Sequence, residues 1–386
     1  MSQAVLLDIN EPAHHARAMA IWVMGVTVGP ILGPVLGGWL TENYNWRWVF
    51  YINVPFGILS LLGVLTFMPE TQIRKSRFDF FGFATLSLAI ASFQLMLERG
   101  QLMDWFNSTE IQCEAVVAGL ALYLFIVHML TTKQAPFVSP AIFRDRNFLT
   151  GSVFIFIVGV VLFATLALLP PLLQDLLHYP VVLTGLVTAP RSAGTLIAMF
   201  VASRIMGRID SRLIIAGGFV LTAYSLWQMT GFYTQMTSSL IVWSGVIQGL
   251  GTGFVYAPLA AISFATLTPQ YRNEGTAMFS LLRNVGSSVG ISAVETLLTR
   301  NTQIMHSRLA EHVTPYGAGL HALPHEVLTS PDGLARINAL VTGQAAMIAY
   351  NNDFQFMMLL TLCAIPLVAL LKIGRTSKGT DTVVLE

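Results

Sequence analysis

The sequence predicts an all-α polytopic membrane protein with about ten transmembrane helices. Three observations carry that expectation: a scarcity of charge, ten apolar stretches of spanning length, and an uneven placement of lysine and arginine. Of the 386 residues, 54% are hydrophobic and 11% are charged, and the mean hydropathy is +0.65. A soluble domain carries roughly 25% charged residues, because its surface must face water. The charges here are too few to coat a folded surface of this size, and a lipid-facing perimeter explains the deficit. The net charge of +1 supplies no bulk field toward nucleic acid, so no nucleic-acid partner is expected.

A spanning helix needs about 20 mainly apolar residues, since the hydrocarbon core is about 30 Å thick and a helix rises about 1.5 Å per residue. Ten segments qualify: 17–40, 47–68, 79–97, 113–130, 150–172, 181–203, 212–232, 240–263, 274–298 and 353–373. The basic residues test this count independently. With the amino terminus inside, 14 of the 21 Lys and Arg residues fall on the cytoplasmic side, among them Arg74, Arg77, Arg144, Arg208 and Arg272. Five (Arg47, Arg99, Arg300, Arg308 and Arg336) fall outside, and Arg191 and Arg283 lie within spans. That bias places both termini in the cytoplasm. No cleavable signal peptide is read in the polar first residues.

One connection is long, residues 299–352, and falls on the outer side. His306, His312, His321 and His325 lie in it without regular ligand spacing, so a solvated loop is expected and no metal site. Cys113 and Cys363 sit in separate apolar segments and suggest neither a disulfide framework nor a zinc site. Trp46, Trp48 and Tyr51 cluster where an interfacial aromatic belt would sit.

In the first span, Gly25, Gly29, Gly33 and Gly37 recur every fourth residue and form a stripe without side chains. Such a stripe lets a second helix approach backbone to backbone. Pro30 and Pro34 each remove a backbone donor and bend the helix.

The run Gly29-x3-Gly33-Pro34-x2-Gly37-Gly38 resembles the antiporter signature on the fifth helix of drug:proton antiporters of the major facilitator superfamily. The next stretch, Trp46-Arg47-Trp48-Val-Phe-Tyr-Ile-Asn53-Val-Pro55-Phe-Gly57, resembles the corresponding segment of the fourteen-helix EmrB/QacA branch. Ala20 departs from the longer form of the signature, which has a further glycine there. Asn147-Phe148, Ala189-Pro190-Arg191, Gln248-Gly249-x-Gly251-x-Gly253 and Arg272-Asn273-Glu274-Gly275 agree with the resemblance.

The resemblance implies a major facilitator fold that is N-terminally truncated, lacking about the first four helices. On this reading residues 1–70 are a remnant of the N-terminal bundle and 71–147 an inserted helix pair with cytoplasmic linkers. Residues 148–374 form a C-terminal six-helix bundle with the long periplasmic loop 299–352, and 375–386 are a cytoplasmic tail. The chain then reads as a fragment, a misassigned start or a truncated gene. It is expected not to transport alone, with Thr27 and Asn53 left facing lipid. The first span is expected to pack on the sixth, with Gly29, Gly33 or Gly37 touching residues 193–197.

Within the C-terminal bundle, Gly207, Arg208, Asp210 and Arg212 occupy the place of the superfamily's cytoplasmic gating loop, where Arg and Asp form a charge relay. The positive-inside bias explains the arginines equally well, but not Asp210 and Gly207. Arg191 and Arg283 lie deep in the sixth and ninth spans. An arginine at a helix centre costs about 2.5–3.5 kcal/mol on insertion scales, so each should face a cavity, a carboxylate or a carbonyl; snorkelling is the competing account. Glu295 is read as the clearest acid inside a span, either coupling or interfacial. Gln248 resembles a signature glutamine and either faces the cavity or makes a buried interhelical bond.

The resemblance implies proton-driven efflux of small hydrophobic or amphipathic molecules by alternating access. It implies a bacterial inner-membrane location, no cofactor beyond the proton gradient, and partnership with a periplasmic adaptor and an outer-membrane channel. The alternatives are a non-transporting remnant and a membrane-embedded enzyme. The enzyme would need convergent acid, base or metal groups in the spans, where arginine is a poor proton-transfer group.

Overall fold

A computed structural model of the protein describes residues 29, 33, 35–67, 78–132, 136–206, 208–313 and 330–371. Gly25, Pro30, Pro34, Gly207, His321, His325, Thr27 and residues 375–386 lie outside the described residues. Apart from an isolated bridge between Met206 and Ile209, the regular structure of the described residues is helical.

Each predicted span meets a helix. α1 covers residues 35–43, and α2 (Asn53–Phe67) is entered through a short helix, Trp48–Tyr51. Then follow α3 (Phe80–Gly100), α4 (Thr109–Thr131), α5 (Arg146–Pro171), α6 (Val181–Ile205) and α7 (Ser211–Met229). The last three are α8 (Ser238–Ala265), α9 (Arg272–Glu311) and α10 (Pro331–Leu367). Helix starts are set by local chemistry: Asp79, Asp145, Asp210 and Ser330 accept a backbone N–H from the first turns of α3, α5, α7 and α10. At the end of α5, Pro170 and Pro171 remove two adjacent donors, and the chain passes into one π-turn, Leu172–Leu176.

Seven of the described helices are long and apolar enough to cross a membrane by themselves; α7 and α9 are not among them. α9 carries Arg283, Asn284, Ser287, Ser288, Ser292 and Glu295 through its middle. It is flanked by α5, α10 and α3; Ser292 is buried, Arg283, Ser287 and Ser288 are half-buried, and Asn284 and Glu295 are exposed.

The expected loop 299–352 is corrected by the structure. α9 runs on to Glu311 and α10 begins at Pro331, so both helices extend well past the apolar stretch. Hydropathy marks where lipid ends, whereas a helix continues as long as its backbone bonds and packing persist. The two extensions meet where the His306 ring lies 3.0 Å from Asn338 Oδ1. His312 bonds the Arg308 carbonyl of its own helix.

The expected packing of the glycine stripe is also corrected. A Cβ on Gly29, Gly33 or Gly37 would have nothing within 4 Å. The contact with α6 is made by Gly38, where a Cβ would lie 3.0 Å from the Val181 carbonyl oxygen, and Glu42 accepts the Val182 N–H at 3.3 Å. Gly38 lies about 100° around the helix from Gly37, so the face toward α6 is not the stripe. It meets the first turn of α6, not residues 193–197.

Close backbone approach is instead the work of α8. Gly249 and Gly253 face α6, where a Cβ on either would collide with the carbonyls of Arg191 and Thr195. Gly251, between them, faces Gly218 on α7, with a Cβ there 2.7 Å from the Gly218 carbonyl. α5 and α9 meet in the same way at Gly159, Gly286 and Gly290. In a bilayer such close packing is the main attraction between helices, because lipid tails are as apolar as leucine. The pair α3–α4 docks on this bundle through α3 and α9, while residues 53–66 of α2 include none that is buried and Asn53 is exposed.

Candidate functional site

The interior of the six-helix bundle is sparsely polar. Arg191, on the first half of α6 one residue after Pro190, is 5% exposed. Its Nη2–H donates to the Leu162 carbonyl of α5 at 3.3 Å, and its Nη1 has no partner. Gln248 of α8 is fully buried, donates to Thr165 Oγ1 of α5 at 3.1 Å, and leaves its Oε1 without a partner. Leu162, Gln248, Thr222, Thr252 and Thr361 line a cavity of about 20 Å³ among α5, α7, α8 and α10. That is room for about one water.

Arg283 sits apart from Arg191. It is half-buried on α9, and its Nη1–H donates to the Tyr256 hydroxyl of α8 at 3.1 Å. Neither arginine meets a carboxylate among the described residues.

Two further cavities lie where α3 faces α9. One, of about 600 Å³, is walled by α3, α4 and α9 with Phe93, Met96, Leu122, Phe125, Met278 and Leu282. Further along α3 and α9 a second, of about 220 Å³, is lined by Gln94, Glu98, Ser288, Ser292 and Glu295. Glu295 is exposed to this space instead of being buried in the bundle. Ser292 donates to the Leu97 carbonyl at 2.8 Å and holds the two helices together there.

The proposed charge relay is not formed in this state. Asp210 accepts the Arg212 backbone N–H at 2.9 Å as the cap of α7. Among the described residues no ion pair links it to Arg208 or Arg212. Capping gives Asp210 a purpose that the positive-inside bias did not.

On the same side, Glu274 accepts the Ser139 N–H at 3.1 Å, and Thr266 donates to Asp145 at 2.9 Å. The segment Arg272-Asn273-Glu274-Gly275 therefore ties the start of α9 to the linker before α5. Asp79 does the same for the helix pair. It accepts the N–H groups of Gly82 and Phe137, each at 2.9 Å, and pairs with the His128 ring at 2.9 Å. The structure starts this span at Phe80, so Asp79 lies just outside it. Burial pushes the Asp79 carboxyl up, but the Gly82 and Phe137 N–H groups and His128 outweigh that, leaving it below its ordinary value.

The expectation that Glu295 and the two arginines are the deep titratable groups is incomplete. Asp353 is fully buried. Hydropathy places it at the outer edge of the last span, after Asn351 and Asn352, and the true start of α10 at Pro331 puts it mid-helix. The signal is an acid adjoining an apolar run, which is ambiguous until the helix bounds are known.

A bundle of long apolar helices knit by glycine contacts, with a few buried polar groups inside, is the build of a membrane transporter. The sequence model for the Major Facilitator Superfamily matches residues 1–291. The fatty acid resistance protein FarB of Neisseria gonorrhoeae is 34% identical over 378 residues, covering 96% of this chain and 74% of FarB. The multidrug export protein EmrB of Escherichia coli (strain K12) is 32% identical over 361 residues, covering 92% of this chain and 70% of EmrB. In shape, a bacterial homolog to the human lysosomal transporter Spinster, inward-facing and unoccupied, aligns with TM-score 0.53 at 15% identity, over 96% of this chain and 74% of that one. The last likeness concerns the fold alone. The chain belongs to the Major Facilitator Superfamily. It is a multi-pass membrane transporter related to multidrug exporters, and it acts on small molecules in a bilayer.

Proposed function

We propose that the chain, contrary to the expectation that it does not transport alone, exports small hydrophobic or amphipathic molecules from the cytoplasm of a bacterium in exchange for protons. The observation that carries this reading is the apolar cavity of about 600 Å³ beside the acid-lined one on α3 and α9. An apolar wall with a few polar groups at one end suits an amphipathic guest. Arg191 and Gln248, unsatisfied inside the bundle, are the groups that a change of helix packing would re-partner. The names of two relatives, fatty acid resistance protein and multidrug export protein, support a substrate of this class.

The basic-residue bias supports an inner-membrane topology with both termini in the cytoplasm. The paired extensions of α9 and α10 then project outside, where they offer a docking surface for a periplasmic adaptor leading to an outer-membrane channel. The gating role of Arg208, Asp210 and Arg212 belongs to a second conformation in which Asp210 leaves its cap.

The test uses everted membrane vesicles containing the chain, with ethidium as probe. Adding ethidium should dissipate an established pH gradient, and a protonophore should stop its uptake. Met278→Trp, which fills the apolar cavity, should lower uptake while the protein remains in the membrane. Ethidium uptake untouched by protonophore would refute proton coupling, and full uptake by the tryptophan variant would refute the location.

A further inference from the structure

Asp353 has zero exposure, and neither of its carboxyl oxygens has a hydrogen-bond partner. Its neighbours on α10, Tyr350, Phe354 and Met357, belong to an apolar cluster with Leu168 of α5, Met229 of α7 and Phe232. An ionised carboxylate there would lose its hydration with nothing in exchange, a cost that the neutral acid largely avoids. An acid inside a membrane bundle is retained at a cost and so points to function.

The site is also connected. Asp353, Met357 and Thr361 follow at intervals of four along one face of α10. Met357 meets Thr165, which receives the Gln248 amide, and Thr361 opens on the water-sized cavity that Gln248 lines. Thr165, Gln248 and Thr361 thus form a polar cluster that begins one turn along α10 from the acid, beyond Met357.

The surrounding charges are few. Tyr350 lies one turn before Asp353, and Asp175, from the π-turn after α5, acts on Tyr350. The only charged residues of α5 and α7 are Arg146 and Arg212, at their starts. On α9, Arg283 is bonded to Tyr256 and Glu295 lines the cavity against α3.

We infer that Asp353 is a proton-binding carboxyl of the C-terminal bundle, sealed in this conformation and exchanging its proton with water when α10 separates from α5 and α7. The exchange breaks one O–H bond, passes the proton to water and leaves the carboxylate. Its use in transport rests on the proton-driven reading above; the protonated site itself does not.

Two measurements on the full chain separate these. In infrared spectra of the chain in lipid, the carbonyl stretch of a protonated carboxylic acid should be present in the wild type and absent from Asp353→Asn. In vesicles, Asp353→Asn should lower pH-gradient-driven ethidium transport by about tenfold or more, with ethidium binding retained and with recovery in Asp353→Glu. A band that survives in Asp353→Asn overturns the proposal, as does wild-type gradient-driven transport by that variant. If the wild type shows no gradient-driven transport, the proton-driven reading fails, and the infrared band alone decides on the site. If Asp353→Asn does not reach the membrane, Asp353→Glu must shift the band; an unshifted band overturns the assignment.

Discussion

Gln248 on α8 reaches across to α5 and donates to Thr165 Oγ1 at 3.1 Å, while the Thr165 hydroxyl donates onward to the Val161 carbonyl at 2.8 Å. Thr165 therefore keeps a partner when Gln248 is removed. Gln248→Leu, close in volume, is expected to change stability by less than about 1 kcal/mol, because no buried donor is orphaned. Gln248→Ala should cost about 2–3 kcal/mol through the cavity it leaves. Thermal melts in detergent measure both. If Gln248 lines the transport path, the leucine variant folds and yet loses ethidium export.

The α6–α8 contact makes a sharper stability prediction. A methyl on Gly249 would run into the Arg191 carbonyl, which is backbone and cannot swing away. At Gly245, one turn earlier, the nearest atom to an added Cβ is the Arg191 Cβ at 3.6 Å, an ordinary contact. Gly249→Ala should destabilise by about 1–3 kcal/mol or more from overpacking, and Gly245→Ala should fall within about 0.5 kcal/mol of the wild type. Equal melting temperatures for the two variants would contradict the close approach of α8 to α6 at Gly249.

Arg191 is held by one carbonyl and leaves one nitrogen unsatisfied. Arg191→Ala removes a buried cation without orphaning a carboxylate, so the protein is expected to remain in the membrane. Export should be lost or strongly reduced. Accumulation of ethidium in cells expressing the variant, alongside immunodetection of the membrane fraction, checks both halves.

Asp79 joins three segments at one carboxylate. Asp79→Ala should cost about 1–2 kcal/mol from the lost cap, with a further loss from Phe137 and His128. Because the folded carboxyl lies below its ordinary value, its contribution is full above the unfolded value and fades as pH falls through the folded one. Melting temperatures of wild type and variant should diverge toward neutral pH and converge in acid. A gap that widens in acid would show that the carboxylate is not the stabilising form.

The helices and their membrane setting were legible in the sequence because both depend on local composition. An apolar run of spanning length must satisfy its backbone internally, and that requirement alone makes it a helix. Gln248 and Arg191 stood out because a polar group in such a run must find company within protein. Which glycines carry the packing was a different matter. The regular stripe in the first span and the alternating glycines of α8 read alike as sequence, and only the facing helix decides which stripe is filled.

The same holds for Asp353 and Asp210. Hydropathy placed Asp353 at a membrane edge, and the packing of α10 against α5 and α7 placed it in the core. Asp210 looked like half of a charge relay, and the backbone N–H of Arg212 made it a helix cap. Composition determines that a segment is buried in lipid or protein. What a given side chain meets there depends on contacts between residues far apart in the chain, and those exist only once the helices have packed.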